Sequence, residues 1–216
     1  MTTDNMITSG LNPDIDIAST ATISPYVLIG FKGDEKEKKD HHKNLPTLIG
    51  ENVWIGPYVT IYEGASIQDG VKIDPYCRVG HNTCIGKHTR LLYGARIHDD
   101  VSIGNNCVIG GNCSNRVKIG NNVVHFGRIT HTFNNPRADW HDAEEPSLSI
   151  GDGSIIGAEA ILVGDIRIGK SVYIAAGEIV RHSVEDACIV YKGRTYSHSE
   201  WKGRLSATSF WSEYKK

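Results

Sequence analysis

The sequence lacks the marks of several protein classes. No apolar run approaches the roughly 18 residues that a membrane-spanning helix needs. Residues 1–16 carry Asp4, Asp14 and Asp16 but neither the basic segment nor the apolar core of a secretory leader, so the cytoplasm is the expected compartment. Charge of one sign is absent too: 23 Lys+Arg stand against 25 Asp+Glu, a net −2, which is not the composition of a nucleic-acid binder. Five cysteines with no CxxC pair give neither a disulfide framework nor paired metal-ligand spacing, and a reduced compartment follows. Proline is modest at 7, and 39% hydrophobic residues exclude a disordered chain. What is abundant is glycine, 23 residues, and it falls at regular intervals.

Those intervals belong to a repeat. Steps of six from Ile49 give Ile55, Ile61, Ile67, Ile73, Val79, Ile85, Leu91, Ile97, Ile103 and Ile109, all branched aliphatics. Four residues after each comes a small or β-branched residue, from Val53 and Val59 to Cys107 and Cys113. The frame also fits Ile17, Ile23 and Ile29, and returns at Ile119 and from Ile150 to Val180. An apolar period of six is not helical. Short strands joined by tight turns satisfy it, three hexads making one triangular coil and residues 18 apart stacking. The fold expected is all-β, a left-handed parallel β-helix over 1–185, with inserted loops at about 31–48 and 132–149. A C-terminal extension, 186–216, packs on the solenoid and ends in a short helical tail bearing Trp201, Phe210, Trp211 and Tyr214. In this frame Cys77, Cys107 and Cys113 fill the small core slot as modest hydrophobes.

Breaks in a solenoid's period locate its binding face. Residues 31–46 read FKGDEKEKKDHHKNLP, a charged excursion without apolar pattern. Residues 132–149 read TFNNPRADWHDAEEPSLS, a loop rich in amides and carboxylates around Arg137, Trp140 and His141. A smaller shortening falls at Asn115 to Lys118, where Ile109 to Ile119 is a step of ten. Just before the second loop, the aliphatic frame position passes to His125 and then to His131. Glu178 stands where the frame wants a small residue, which requires the coil to open towards solvent or a partner, or a cation to hold the carboxylate.

The stretches IGENVWIG, IGNNCVIG and IGDGSIIGAEAILVGDIRIGKSVYIAAGEIV resemble the coils of hexapeptide-repeat acyltransferases across about residues 17–185. His131 to Arg137 resembles the TNxxNPR stretch of N-acetyltransferases acting on nucleotide-linked 3-amino sugars, with His131 and Thr132 in place of Thr and Asn. A histidine ahead of such a loop is similar instead to the general base of maltose and galactoside O-acetyltransferases. The resemblance implies a homotrimer that uses acetyl-CoA between adjacent solenoids, with an amine or hydroxyl of a sugar or nucleotide sugar as acceptor and no metal. Histidine suits the base because it titrates near neutrality; His131 is the first choice and His125 the second. Asn134, Asn135, Arg137 and Trp140 are the acceptor-binding candidates. For the cofactor, the small residues Gly157, Ala158, Ala160, Ala175, Ala176 and Gly177 would let pantetheine approach the backbone and offer an oxyanion donor. Lys170, Arg181, Lys192 and Arg194 are candidates for the CoA phosphates.

Two other readings remain open at this level. The same solenoid builds γ-class carbonic anhydrases, which hold zinc on three histidines, but His81, His88 and His98 sit at different offsets in the frame and do not stack. The other is a non-catalytic assembly subunit.

Overall fold

A computed structural model describes residues 14–33, 45–131 and 147–203. Twenty-six short strands build three sheets, of eight, ten and eight strands, and no helix occurs among the described residues. Up to the strand Ile179–Val180, successive strands visit the first, second and third sheet in turn, so each sheet is ordered by every third strand; the last two both join the second sheet. All pairings are parallel until the last, where Cys188–Tyr191 turns back antiparallel onto Arg194–Ser197. This is the left-handed β-helix expected.

The hexad explains the coil. In each two-residue strand one side chain points in and one out, as in Lys72–Ile73, where Ile73 is fully buried and Lys72 exposed. Ile55, Ile73, Leu91 and Ile109 form one buried column, with Val53, Val71, Thr89 and Cys107 beneath the corners. Corner amides are capped from the neighbouring coil: Asn105 accepts from the Lys87 amide, Asn121 from Asn105 and Asp152 from Asn121. Burial pushes the Cys77 thiol up to about 11, and it donates to the Leu92 carbonyl at 3.1 Å. A neutral thiol in a small slot packs as a hydrophobe.

Two features of the frame differ from expectation. From Ile49 to Ile109 each coil takes eighteen residues, but Ile97 pairs with Cys113 and Ile109 with His125, sixteen on. The residues are lost at the corner between the second and third sheets, at Gly110-Gly111 and again at Phe126-Gly127, not at Asn115 to Lys118. Cys113 therefore occupies an aliphatic slot rather than the small one, and Ile129, not His131, is the core residue of the strand Arg128–Thr130. Bare backbone makes the short corner possible. A Cβ on Gly111 would lie 1.9 Å from the Gly127 carbonyl oxygen, and one on Gly127 would lie 2.5 Å from that of Ala160.

Glu178 is half-buried, and its carboxylate accepts from the backbone amides of Lys192 and Gly193 at 2.5 and 3.0 Å. Its partner is thus the turn of the terminal hairpin. The expected helical tail lies, from residue 204 onward, outside the described residues.

Candidate active site

The two histidines offered as bases end in different places. His125 lies at the end of the strand Val124–His125 and is fully buried in the aliphatic column between Ile109 and Ile156. Its Nε2 sits 3.2 Å from the Asn112 carbonyl oxygen, while Nδ1 has no hydrogen-bond partner among the described residues. Burial pushes the imidazole down to about 4, against the upward pull of that carbonyl. A neutral ring sealed in the core is out of reach of an external acceptor, so within this chain His125 is a packing residue. His131 is half-buried and follows the strand Arg128–Thr130, at the corner where the second insertion leaves.

That corner, between the third and first sheets, collects more. The first insertion leaves from it as well, after the strand Leu28–Phe31. The two exits are five strands apart in the third sheet, about 24 Å at a strand spacing of ~4.8 Å, so one chain does not merge them. Beside the first exit sits a cluster that the sequence reading did not assemble. His81 Nδ1 is 3.5 Å from Asp99 Oδ1, its Nε2 is 3.2 Å from the Lys32 carbonyl oxygen, and its ring meets Tyr62 edge-on. Burial alone would lower His81, but Asp99 outweighs it and the ring is raised. Likewise, burial would raise Asp99, but His81 and Arg78 hold it down to about 2. Their spacing of 18, one coil, was the available signal.

The cofactor candidates separate into groups. Gly157, Ala158 and Ala160 stack one coil from Ala175, Ala176 and Gly177 on the corner between the second and third sheets. Lys192 and Arg194 belong to the terminal hairpin, where the Lys192 ammonium lies 5.3 Å from the Tyr191 ring centre. Lys170 stands on another corner, 3.5 Å from Asp152, and Arg181 is exposed beyond the strand Ile179–Val180. The amides of Gly157, Ala160, Ala175 and Gly177 already donate to the carbonyls of Ile174, Gly157, Val190 and Ala158. As oxyanion donors they are therefore taken, which leaves Ala158 and Ala176 on that strip. Asn134, Asn135, Arg137 and Trp140 lie outside the described residues. No group of three or more His, Cys, Asp or Glu able to hold a metal comes together among the described residues. No helix there is long and apolar enough to cross a membrane.

Residues 46–81 match the family described as bacterial transferase hexapeptide (six repeats). Residues 100–124 and 147–181 match the hexapeptide repeat of succinyl-transferase. The chain fits the hexapeptide-repeat acyltransferase family. The bifunctional protein GlmU of Bifidobacterium longum subsp. infantis is 35% identical over 66 residues, which are 30% of this chain and 14% of that protein. The matched stretch thus spans about a seventh of that relative. Among solved structures, the UDP-N-acetylglucosamine acyltransferase of Campylobacter jejuni is 15% identical, covering 95% of this chain and 83% of its own at a TM-score of 0.47. The GDP-perosamine N-acetyl transferase of Caulobacter crescentus is also 15% identical, over 84% of this chain and 55% of its own at 0.34. The repeats of this transferase family cover both sides of the shortened coils and of the second insertion.

Proposed function

We propose that the protein transfers an acetyl group from acetyl-CoA to an amine or hydroxyl of a sugar or nucleotide-linked sugar, with His131 as general base. The observation that carries this reading is the position of His131: half-buried, at the end of a third-sheet strand, beside the second insertion, in a chain with transferase repeats. The imidazole takes the proton of the acceptor as it attacks the thioester carbonyl. The tetrahedral oxyanion then collapses, the C–S bond breaks and the proton passes to the departing thiolate. Pantetheine runs along Gly157 to Ala160 and Ala175 to Gly177, with the Ala158 or Ala176 amide toward the oxyanion and Lys192 and Arg194 toward the phosphates. A Cβ on Gly157 would meet the Ala176 backbone at 2.6 Å, so the two coils of this strip stack backbone to backbone. Lys170, already paired with Asp152, and Arg181, on a different corner, contribute less. Asn134, Asn135, Arg137 and Trp140 follow His131 directly and complete the acceptor side. The working form is a cytoplasmic homotrimer with sites between adjacent solenoids.

The test is thiol release from acetyl-CoA with a panel of nucleotide amino sugars and glycosides. His131→Ala should lower kcat by about 10²–10⁴, the share typical of a general base. Near-normal turnover in a folded variant that still binds CoA rejects His131 as the base, and no release with any acceptor rejects the transferase reading.

A further inference from the structure

The two shortened coils leave a notch in the corner between the second and third sheets. It is a depression of about 120 Å³ lined by Gly110, Gly111, Asn112, Phe126, Gly127, Arg128 and Glu159. Its floor is bare backbone, since Gly111 and Gly127 admit no Cβ. Its wall is aromatic: Phe126 is 39% exposed and its ring lies over Gly110, 2.8 Å from where a Cβ would be. One coil above, Tyr93 ends a ladder of tyrosines. Tyr26, Tyr58 and Tyr76 stack nearly parallel at 5.3 and 5.0 Å, but Tyr93 tilts by 60° and is 68% exposed. The next coil is too short to supply a ring beneath it.

The notch opens onto charge. Arg96, Asn112 and Arg128 occupy successive outward positions of the third sheet, in register. Both guanidinium groups are exposed, and no ion pair to a carboxylate involves either among the described residues. They stand about 10 Å apart across the Asn112 amide, at two strand spacings. His131 lies along the strand of Arg128 rather than in that row, four residues beyond Gly127 and about 13 Å from the notch. A slot with a glycine floor and one aromatic wall, Arg128 one residue along the strand and His131 beyond the strand's end form a sequence of sites, with Arg96 two strands to the side.

We infer that the notch is the nucleoside end of the acceptor site and takes the base of a nucleoside diphosphate sugar. The base lies against Phe126 on the glycine floor, where Glu159 meets a donor edge of the base or the ribose. The diphosphate lies over Arg128 and Asn112, within reach of Arg96, since guanidinium forks suit phosphate oxygens. The sugar then crosses the third sheet to His131. His125 packs behind this site from within, its ring 3.0 Å beneath the position of a Gly111 Cβ and its Nε2 on the carbonyl of lining residue Asn112. The assignment rests on the acyl-transfer reading for its third part alone; the notch and arginine row stand on their own geometry.

The experiment is calorimetric titration of the full chain, without acyl donor, with UDP, GDP and coenzyme A as separate probes. Saturable binding of UDP or GDP is expected. Phe126→Ala should weaken it about tenfold through lost stacking, Arg128→Gln by tenfold or more, and the exposed second-sheet Lys72→Gln by less than twofold. Absence of saturable diphosphate binding overturns the inference. So does binding unchanged in both notch variants, loss of coenzyme A binding instead of diphosphate binding, or weakening that follows a changed oligomeric state, which would assign this corner to self-association. A chain that binds the diphosphate through Phe126 and Arg128 yet releases no thiol from acetyl-CoA keeps the notch and loses the transferase. The reverse pattern keeps the transferase and loses the notch.

Discussion

Between Ile49 and Ile109 each coil takes eighteen residues; between Ile97 and Ile129 the pairings step by sixteen, and chemistry follows that division. In the regular coils the buried column is all aliphatic, and outward positions carry paired charges such as Arg90 on Asp74 at 3.1 Å. In the short coils the column holds His125 and Cys113, the outward arginine Arg128 has no such carboxylate among the described residues, and a notch replaces the corner. Removing two residues from a coil costs core volume, so smaller or polar residues enter. It also strips side chains from a corner, which exposes backbone.

The largest expected effect tests the polar half of this contrast. His125 titrates near 4 when folded and near 6.5 when unfolded, so the unfolded chain holds the extra proton between those values. The stabilisation is fully present above pH 6.5 and is lost as pH falls toward 4, by about 3 kcal/mol. His125→Leu, of similar volume, should fold and should flatten urea-derived stability across that window relative to wild type. His81, raised by Asp99, acts in the opposite sense, losing its contribution as pH rises, but it is common to both chains and drops out of the difference. An unchanged slope would show that His125 is not the buried neutral ring. Retained turnover in the same variant would separate its packing role from His131.

The next effect tests volume. Cys113 pairs with Ile97 in the aliphatic column, is fully buried and has its thiol pushed up to about 12. Cys113→Ile should lose about 1–3 kcal/mol, because overpacking forces side chains off their rotamers. Val79→Ile, in the same sheet but in an eighteen-residue coil, should lose less than Cys113→Ile does. Equal losses would mean that the short coil is not the tighter one.

How far the sequence carried follows from the same division. Where the period is six, stepping by six assigns Ile55, Ile73 or Val79 correctly, because position and role are the same datum. Across Gly110-Gly111 the frame slips by two, and stepping on places Cys113 in the small slot and His131 in the column. The step of ten from Ile109 to Ile119 recorded the slip but not its location, since Asn115 and Gly110 are both permissible turn residues. His125 was flagged correctly as an aliphatic replaced by histidine; that it points inward depends on strand alternation after the slip. The notch has no motif of its own, being made of side chains that are missing.

The smallest expected effect asks what holds the tyrosine ladder that ends at that notch. Tyr26, Tyr58 and Tyr76 each follow a proline and have φ near +60°, the left-handed region that a bulky residue adopts at a cost of ~1–2 kcal/mol. Proline at the preceding position fits the type II turn that demands this φ. Stacking returns about 0.5–1.5 kcal/mol per ring pair, and Tyr58 has two such neighbours. In Tyr58→Gly, relief of strain therefore offsets most of the lost stacking and the added chain entropy, and thermal or urea unfolding should shift by less than about 1 kcal/mol. A loss of several kcal/mol would make the ladder a structural staple equal to the aliphatic column. A small shift would mark the tyrosines as surface held in a strained conformation for contact, and would extend the contrast between the coils from their interior to their outer corner.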